Sequence, residues 1–267
     1  MIRITNRNKA LASQFITETS DKSFAAVAIG NSPGEMWVDD EKSPSSALVW
    51  SNGLACFQFM GKGSALFTEA FVQAEIIPFL QEKEISYFEF ALDSEGWEDV
   101  VFHVLRDRKI EGDGQYVYKS DWTSPAKEIR EITDFTFVEI TAHLLENKEI
   151  RNREFMTNYL IQYWGSIEAF IEKGDGYIAL TKENEVASIA IVTDVYETTH
   201  TIGVVTVEAY RQRGLSSSLT ILLVNLLRTK KLHVWWDCME ENIASQKTAE
   251  KAGLVRSHSY RVYWFYF

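Results

Sequence analysis

From Thr201 to Ser218 the chain reads TIGVVTVEAYRQRGLSSS. A β-branched run stops at Val207, two arginines flank Gln212, Gly214 follows, and three serines open a leucine-spaced segment. A strand that breaks off this way and passes straight into a helix can turn its unpaired backbone N–H groups toward an anion, with the helix dipole adding attraction. Arg211 and Arg213 would supply charge-assisted hydrogen bonds to phosphate oxygens, Gly214 would admit close backbone approach, and Ser216 to Ser218 would leave room. The plainer alternative is a solvated turn whose glycine was selected for its backbone angles, and this stretch alone does not decide between the two.

A second segment, ENIASQKTAEKAGL, runs from Glu241 to Leu254. Taken singly, Asn242 reads as a helix N-cap and Gly253 as a C-cap glycine. The elements around both segments are regular. Ser166 can cap IEAFIEK, Gly174 ends it, and GDG turns the chain into the strand YIALT. KENE joins that strand to VASIAIV as a hairpin, and TIGVVTV follows as a third strand. The next helix carries Leu215, Leu219, Leu222, Leu223 and Leu226 on one side, so it is predicted to pack on a sheet. Then come the strand LHVWWDC, the helix IASQKTAEKAG and the aromatic terminal strand YRVYWFYF. Three meandering strands followed by helix, strand, helix and strand predict a mixed α/β sheet.

The first half reads as short strands in FAAVAIG, NSPGEMWVDD, SSALVW and ACFQF. A helical stretch, SALFTEAFVQAEIIPFLQEK, follows with Pro78 placed to interrupt it, and SYFEFAL and QYVYKS are further strands. Turn formers, charges and Pro125 cluster in KSDWTSPAKEIREITD, which predicts a boundary between a domain at 1–125 and one at 126–267.

The pattern Arg211-x-x-Gly214-x-Ser216 at a strand–helix junction resembles the acyl-CoA pyrophosphate loop of the GNAT superfamily of N-acetyltransferases. Asn242-x-x-Ser245 with Glu250-Lys251-x-Gly253-Leu254 resembles the next helix of that fold, which flanks the pantetheine arm. With WVDDEKSPSSA, GDGYIAL, VASIAIV and WWDC, the chain is similar to the subgroup that includes the zwittermicin A resistance acetyltransferases. The resemblance implies an α/β (α+β) architecture, a mixed, mostly antiparallel sheet flanked by helices. It places an acetyl-CoA-binding GNAT fold in 126–267 after a divergent GNAT-like half in 1–125. It also implies direct acetyl transfer from acetyl-CoA to an amine, with pantetheine entering between two splayed parallel strands, IGVVTV and HVWWDC. Val204, Val205 and Thr206 would meet the pantetheine amides through their backbones, Arg211, Gln212, Arg213, Gly214, Leu215 and Ser216 would hold the pyrophosphate, and Asn242 and Ser245 would flank the arm.

The chain departs from the family pattern twice. Ser216 stands where the loop usually ends in Gly or Ala, and Ala249 stands where many of these enzymes carry a tyrosine that protonates the departing thiolate. A thiol of pKa about 8.5 is a tolerable leaving group without an acid. Cys238 and Tyr210 are the candidate substitutes. The base, a carboxylate that takes the amine proton directly or through water, is a choice among Glu208, Asp194, Glu197, Glu240 and Glu241.

Composition narrows the remaining classes. A formal net charge of -11 argues against nucleic acid and is compatible with cationic small molecules as partners. The two cysteines, Cys56 and Cys238, form no C-x-x-C pattern, the five histidines show no metal spacing, and no metal is expected. The longest aliphatic run, LTILLVNLL, is too short to span a bilayer and no signal-like apolar stretch opens the chain, so a cytoplasmic protein without a membrane partner is expected. GKGS at Gly61 to Ser64 and EGDGQ at Glu111 to Gln115 read as turns. The sequence thus predicts an acetyl-CoA-dependent N-acetyltransferase acting on a small cationic amine, antibiotic-like or polyamine-like, with a non-catalytic acyl-CoA-binding regulator as the alternative.

Overall fold

The computed structural model describes residues 1–4 and 6–267, and the chain divides into two compact units, Met1–Gln115 with Ser259–Phe267, and Tyr116–His258. In the first unit β1 (Ile2–Ile4), β2 (Gly34–Val38), β3 (Ser46–Ser51) and β4 (Cys56–Gly61) form an antiparallel meander. A helix α1 (Lys22–Ala28) lies between β1 and β2. After β4 come α2 (Glu69–Phe71), a π-turn at Val72–Ile76 and α3 (Ile77–Glu82). Strand β5 (Tyr87–Leu92) then pairs parallel with β4, and α4 (Glu98–Val104) follows it.

The second unit repeats this succession. Strand β6 (Glu111–Ser120) leads into it, so that EGDGQ, expected as a turn, is extended strand, and β7 (Phe135–Glu139) starts its own meander. Helices α5 (Ala142–Glu146), α6 (Arg153–Trp164) and α7 (Ile167–Lys173) precede β8 (Gly176–Thr181), β9 (Val186–Tyr196) and β10 (Thr199–Thr206), all antiparallel. Helix α8 (Leu215–Thr229) carries the chain to β11 (His233–Met239), which pairs parallel with β10, and α9 (Ile243–Lys251) leads to β12 (Leu254–Tyr266). Strand order is β1-β2-β3-β4-β5-β12 in the first unit and β7-β8-β9-β10-β11-β6 in the second. The chain's last strand therefore closes the first sheet, pairing antiparallel with β5 from Val262 to Tyr266.

The expected strand FAAVAIG is instead helix α1. Asp21 caps it by accepting the Ser23 N–H at 2.7 Å, and every residue from Lys22 to Ala28 is buried. Ala25, Ala26 and Ala28 favour the helix, and their small side chains let it seat closely. Pro78 sits in the first turn of α3, where its missing N–H costs little, and the π-turn just before it lets the helix continue. Helix α8 packs on the second sheet through Leu215, Leu219, Leu223 and Leu227, all buried, while Leu222 and Leu226 flank that stripe half-buried. The first unit's core is aromatic, built around Trp37, Trp50, Phe57, Phe59, Phe88, Phe90 and Trp97. Among the described residues, no helix is long and apolar enough to cross a membrane.

Candidate functional site

Strands β10 and β11 pair through only three positions, Thr199 with His233, His200 with Val234 and Thr201 with Trp235. On its other side β10 stays paired with β9 as far as Thr206 opposite Ser188. The β9–β10 register shifts between Thr201 and Ile202, and such a bulge bends a strand and increases its twist. Among the described residues, β10 and β11 no longer pair beyond this point. Five residues of β10, Ile202 to Thr206, thus keep one backbone edge open over about 16 Å.

That edge runs directly into the arginine loop. Val207 donates its N–H to Ala187 O at 2.9 Å, a short turn at Glu208–Tyr210 follows, and Gln212 and Gly214 both adopt left-handed backbone (φ 63° and 83°). Two left-handed residues one apart gather successive N–H groups into a concavity suited to an anion. Gly214 is also the N-cap of α8, and the first helical bond runs from Ser218 N to Gly214 O at 3.1 Å. The N–H groups of Leu215, Ser216 and Ser217 precede that bond. A methyl group placed on Gly214 would meet only Ile132 Cδ1 at 3.7 Å, so the space above the loop is open. A groove of about 750 Å³ adjoins it, lined by Gln212, Arg213, Gly214, Ser217, Arg130 and Lys251 among others.

Side chains brace the loop from below. The Ser216 hydroxyl meets Thr206 Oγ1 at 2.8 Å, Thr206 meets Ser188 Oγ at 2.7 Å, and Ser188 donates to Val205 O at 3.0 Å. Ser216 therefore joins the end of β10 to the start of α8. The Arg213 guanidinium lies 5.9 Å from the Phe135 ring and 5.7 Å from the Tyr210 ring, which holds it beside the groove. Arg211 and Gln212 are exposed.

The residues nominated for proton transfer fall in different places. Tyr210 donates its hydroxyl to Glu185 Oε2 at 3.1 Å, and burial together with that carboxylate raises its phenol pKa. Cys238 is buried, which pushes its thiol pKa up, and it belongs to the core cluster that includes Ala249 of α9. Glu208 is exposed in the loop, Glu197 is exposed at the turn between β9 and β10, and Glu240 and Glu241 are exposed after β11. The Glu240 carboxylate accepts a hydrogen bond from Tyr116. Asp194 is buried at 2% exposure, opposite Thr201 in the register, and accepts the Thr201 hydroxyl at 3.1 Å. Asn242 caps α9 by accepting the Ser245 N–H at 3.0 Å, while Ser245 Oγ accepts Trp236 Nε1 at 3.1 Å.

Three residues that the sequence reading passed over gather near the point of separation. Tyr159 and Tyr163 lie one turn apart on α6 with ring centroids 5.2 Å apart, and their hydroxyls share a hydrogen bond. Burial, reinforced by the Asp194 and Asp237 carboxylates, pushes the Tyr163 phenol up to about 12. Burial also lifts Tyr159 well above its ordinary value. A methyl group built on Gly203 would overlap the Tyr159 hydroxyl and come within 2.7 Å of Thr193 Cγ2. Alternation along β11 puts Trp236 and Cys238 on one face and Asp237 on the other. The available signals were Asp237, which interrupts the apolar run of β11, and the i, i+4 tyrosine spacing on a helix whose polarity is otherwise mixed.

The sequence model of the family described as GNAT acetyltransferase matches residues 13–263 of this chain. An uncharacterized N-acetyltransferase, YdfB, from Bacillus subtilis (strain 168) is 22% identical over 234 residues, covering 87% of this chain and 85% of that protein. The crystal structure of a GCN5-related N-acetyltransferase-like protein from Streptococcus suis 89/1591 is similar in fold, with a TM-score of 0.69 and 21% identity over 97% of this chain and 98% of that one. A tandem GNAT protein from the clavulanic acid biosynthesis pathway aligns over 99% of this chain and 97% of its own, with a TM-score of 0.59 and 11% identity.

Proposed function

The chain belongs to the GNAT acetyltransferase family and is an N-acyltransferase enzyme, and we propose that it transfers the acetyl group of acetyl-CoA by direct attack to a small cationic amine. One observation carries the reading: β10 and β11 cease to pair after Thr201 and Trp235, and the open edge of β10 leads without interruption into the loop of Gln212 and Gly214. On this reading the backbone groups of Val204, Val205 and Thr206 pair with the amides of the pantetheine arm as a neighbouring strand would. Arg211, Arg213 and the N–H groups of Gly214 to Ser217 hold the pyrophosphate. Backbone contacts tolerate varied side chains, which accounts for a β10 that is merely β-branched and a loop that is particular.

A cationic acceptor is supported by the buried Asp194 and by Asp237, whose charges act together on Tyr163. Asp194 is the nominated base best placed to take the amine proton, since Thr201 ties its carboxylate to the strand position at which the gap opens. The likeness to the zwittermicin A resistance subgroup supports an antibiotic-like amine, and the buried free thiols suit a reducing cytoplasm. The test is release of free CoA from acetyl-CoA with a panel of polyamines and amino-bearing antibiotics. Amine-dependent release is expected with at least one of them. Saturable acetyl-CoA binding without turnover on any amine would instead favour a regulator.

A further inference from the structure

Ala249 is fully buried in α9 and brings no proton donor to the gap. The two substitutes read from sequence are engaged elsewhere, Tyr210 with Glu185 and Cys238 within the core. A different phenol reaches the strand from the opposite side of the sheet. Tyr159 rises from α6, and its hydroxyl occupies the space that a side chain at position 203 would fill. Gly203 is the second residue of β10 past the last β10–β11 pair, at the end of the open edge far from the arginine loop. With the pyrophosphate at Gly214 and the arm laid along Thr206, Val205 and Val204, the thioester falls beside Gly203. Glycine at 203 is then required for a physical reason, since any Cβ there would displace the Tyr159 hydroxyl.

Resting on the acetyl-CoA reading above, we propose that Tyr159 is the proton donor to the departing CoA sulfur and that Tyr163 resupplies it. As the bond between the amine nitrogen and the acetyl carbon forms and the carbon–sulfur bond breaks, the Tyr159 hydroxyl proton passes to sulfur. Asp194 takes the first proton from the ammonium form before attack; the Tyr163 proton then moves to the Tyr159 oxygen, and the second proton that the attacking nitrogen sheds moves to the Tyr163 oxygen, so that products are the amide, free CoA thiol and a protonated Asp194 that returns its proton to solvent. Hydroxyl hydrogens rotate freely enough to reverse the direction of the shared hydrogen bond. Both phenols begin and end neutral, so their raised pKa values keep them protonated between turnovers and place no net phenolate in the site. One proton leaves nitrogen, a different one arrives at sulfur, and each phenol ends with one proton.

The binding arm of the test needs no acceptor, and the turnover arm uses an amine that supports CoA release by wild type. Calorimetric titration compares acetyl-CoA, CoA and desulfo-CoA on the wild-type chain and on Tyr159→Phe and Tyr163→Phe, with melting curves confirming that each variant folds. Wild type is expected to bind CoA about tenfold more tightly than desulfo-CoA, the worth of a hydrogen bond to a partly ionised sulfur. Tyr159→Phe is expected to bring that ratio to about one while acetyl-CoA affinity changes less than about threefold, and its CoA release with an accepted amine should fall about a hundredfold. Tyr163→Phe should keep the CoA preference and lose turnover. A ratio near one in wild type, or an undiminished ratio in Tyr159→Phe, overturns the assignment of Tyr159. A wild-type chain that binds no acetyl-CoA overturns the donor-site reading itself.

Discussion

Thr201 and Trp235 form the last pair between β10 and β11, and Thr201 also donates its hydroxyl to the buried Asp194 at 3.1 Å. The residue that ends the sheet contact is thus the one that fixes a carboxylate at the mouth of the gap. The start of the open backbone edge, the buried carboxylate at Thr201 and the phenol at Gly203 fall within three residues of β10.

Gly203 has no room for an added methyl group. In Gly203→Ala the new Cβ would overlap the Tyr159 hydroxyl and press on Thr193 Cγ2, an overpacking that costs about 1–3 kcal/mol. Denaturant unfolding should show the loss, and Tyr159→Phe in the same chain should restore part of it. A Gly203→Ala chain as stable as wild type would mean that the hydroxyl does not stand against the strand.

Much of this was legible beforehand. The loop from Arg211 to Ser216 announced itself because Arg, Gly and small residues at a strand end have few structural uses in that combination. Asn242 and Gly253 declared the ends of α9, and Asn242 does cap it. Helix α1 reads as a strand because an apolar run in which every residue is buried carries neither a 2.0 nor a 3.6 period, and the signals that discriminate are the cap at Asp21 and the three alanines. Tyr159 and Tyr163 carry no local signal because Tyr159 meets Gly203 across some forty residues of sequence and Tyr163 joins it only through Tyr159.

One acetyl-CoA should bind per chain. In the first unit the strands corresponding to β10 and β11 do not open: Asp93 N still bonds Phe59 O at 3.0 Å, Ser94 donates to Gly61 O at 2.5 Å and Trp97 Nε1 to Met60 O at 3.1 Å. A side chain at Gly63 would run into the Gly96 carbonyl, so the turn after β4 has no room for a ligand at that point. Native mass spectrometry with saturating acetyl-CoA should show a single adduct. Two adducts per chain would require an opening of β4 from β5 that this pairing does not contain.

Stability should depend on pH through Asp93. Burial raises its carboxyl from 3.8 to about 6, against the Ser20 hydroxyl bonded to it at 2.6 Å. The folded state therefore holds a proton that the unfolded state has released between about pH 4 and 6, so unfolding free energy falls as pH rises through that window. The full effect is on the order of 3 kcal/mol. Asp93→Asn should remove this component of the slope when melting temperatures are compared at pH 4.5 and 7. An unchanged difference between the two pH values would show that Asp93 ionises normally.

The central claim is that the open edge of β10 and the loop of Gln212 and Gly214 hold acetyl-CoA, and isothermal titration of wild type beside Gly214→Glu tests it most directly. Position 214 has φ 83° and open space above it, so glutamate there places a negative charge in the anion site while straining the backbone by about 1–2 kcal/mol. The account predicts saturable heat with acetyl-CoA for wild type and none for a Gly214→Glu chain that still melts cooperatively. Equal affinity in the two folded proteins, or no heat from wild type at millimolar ligand, would contradict it.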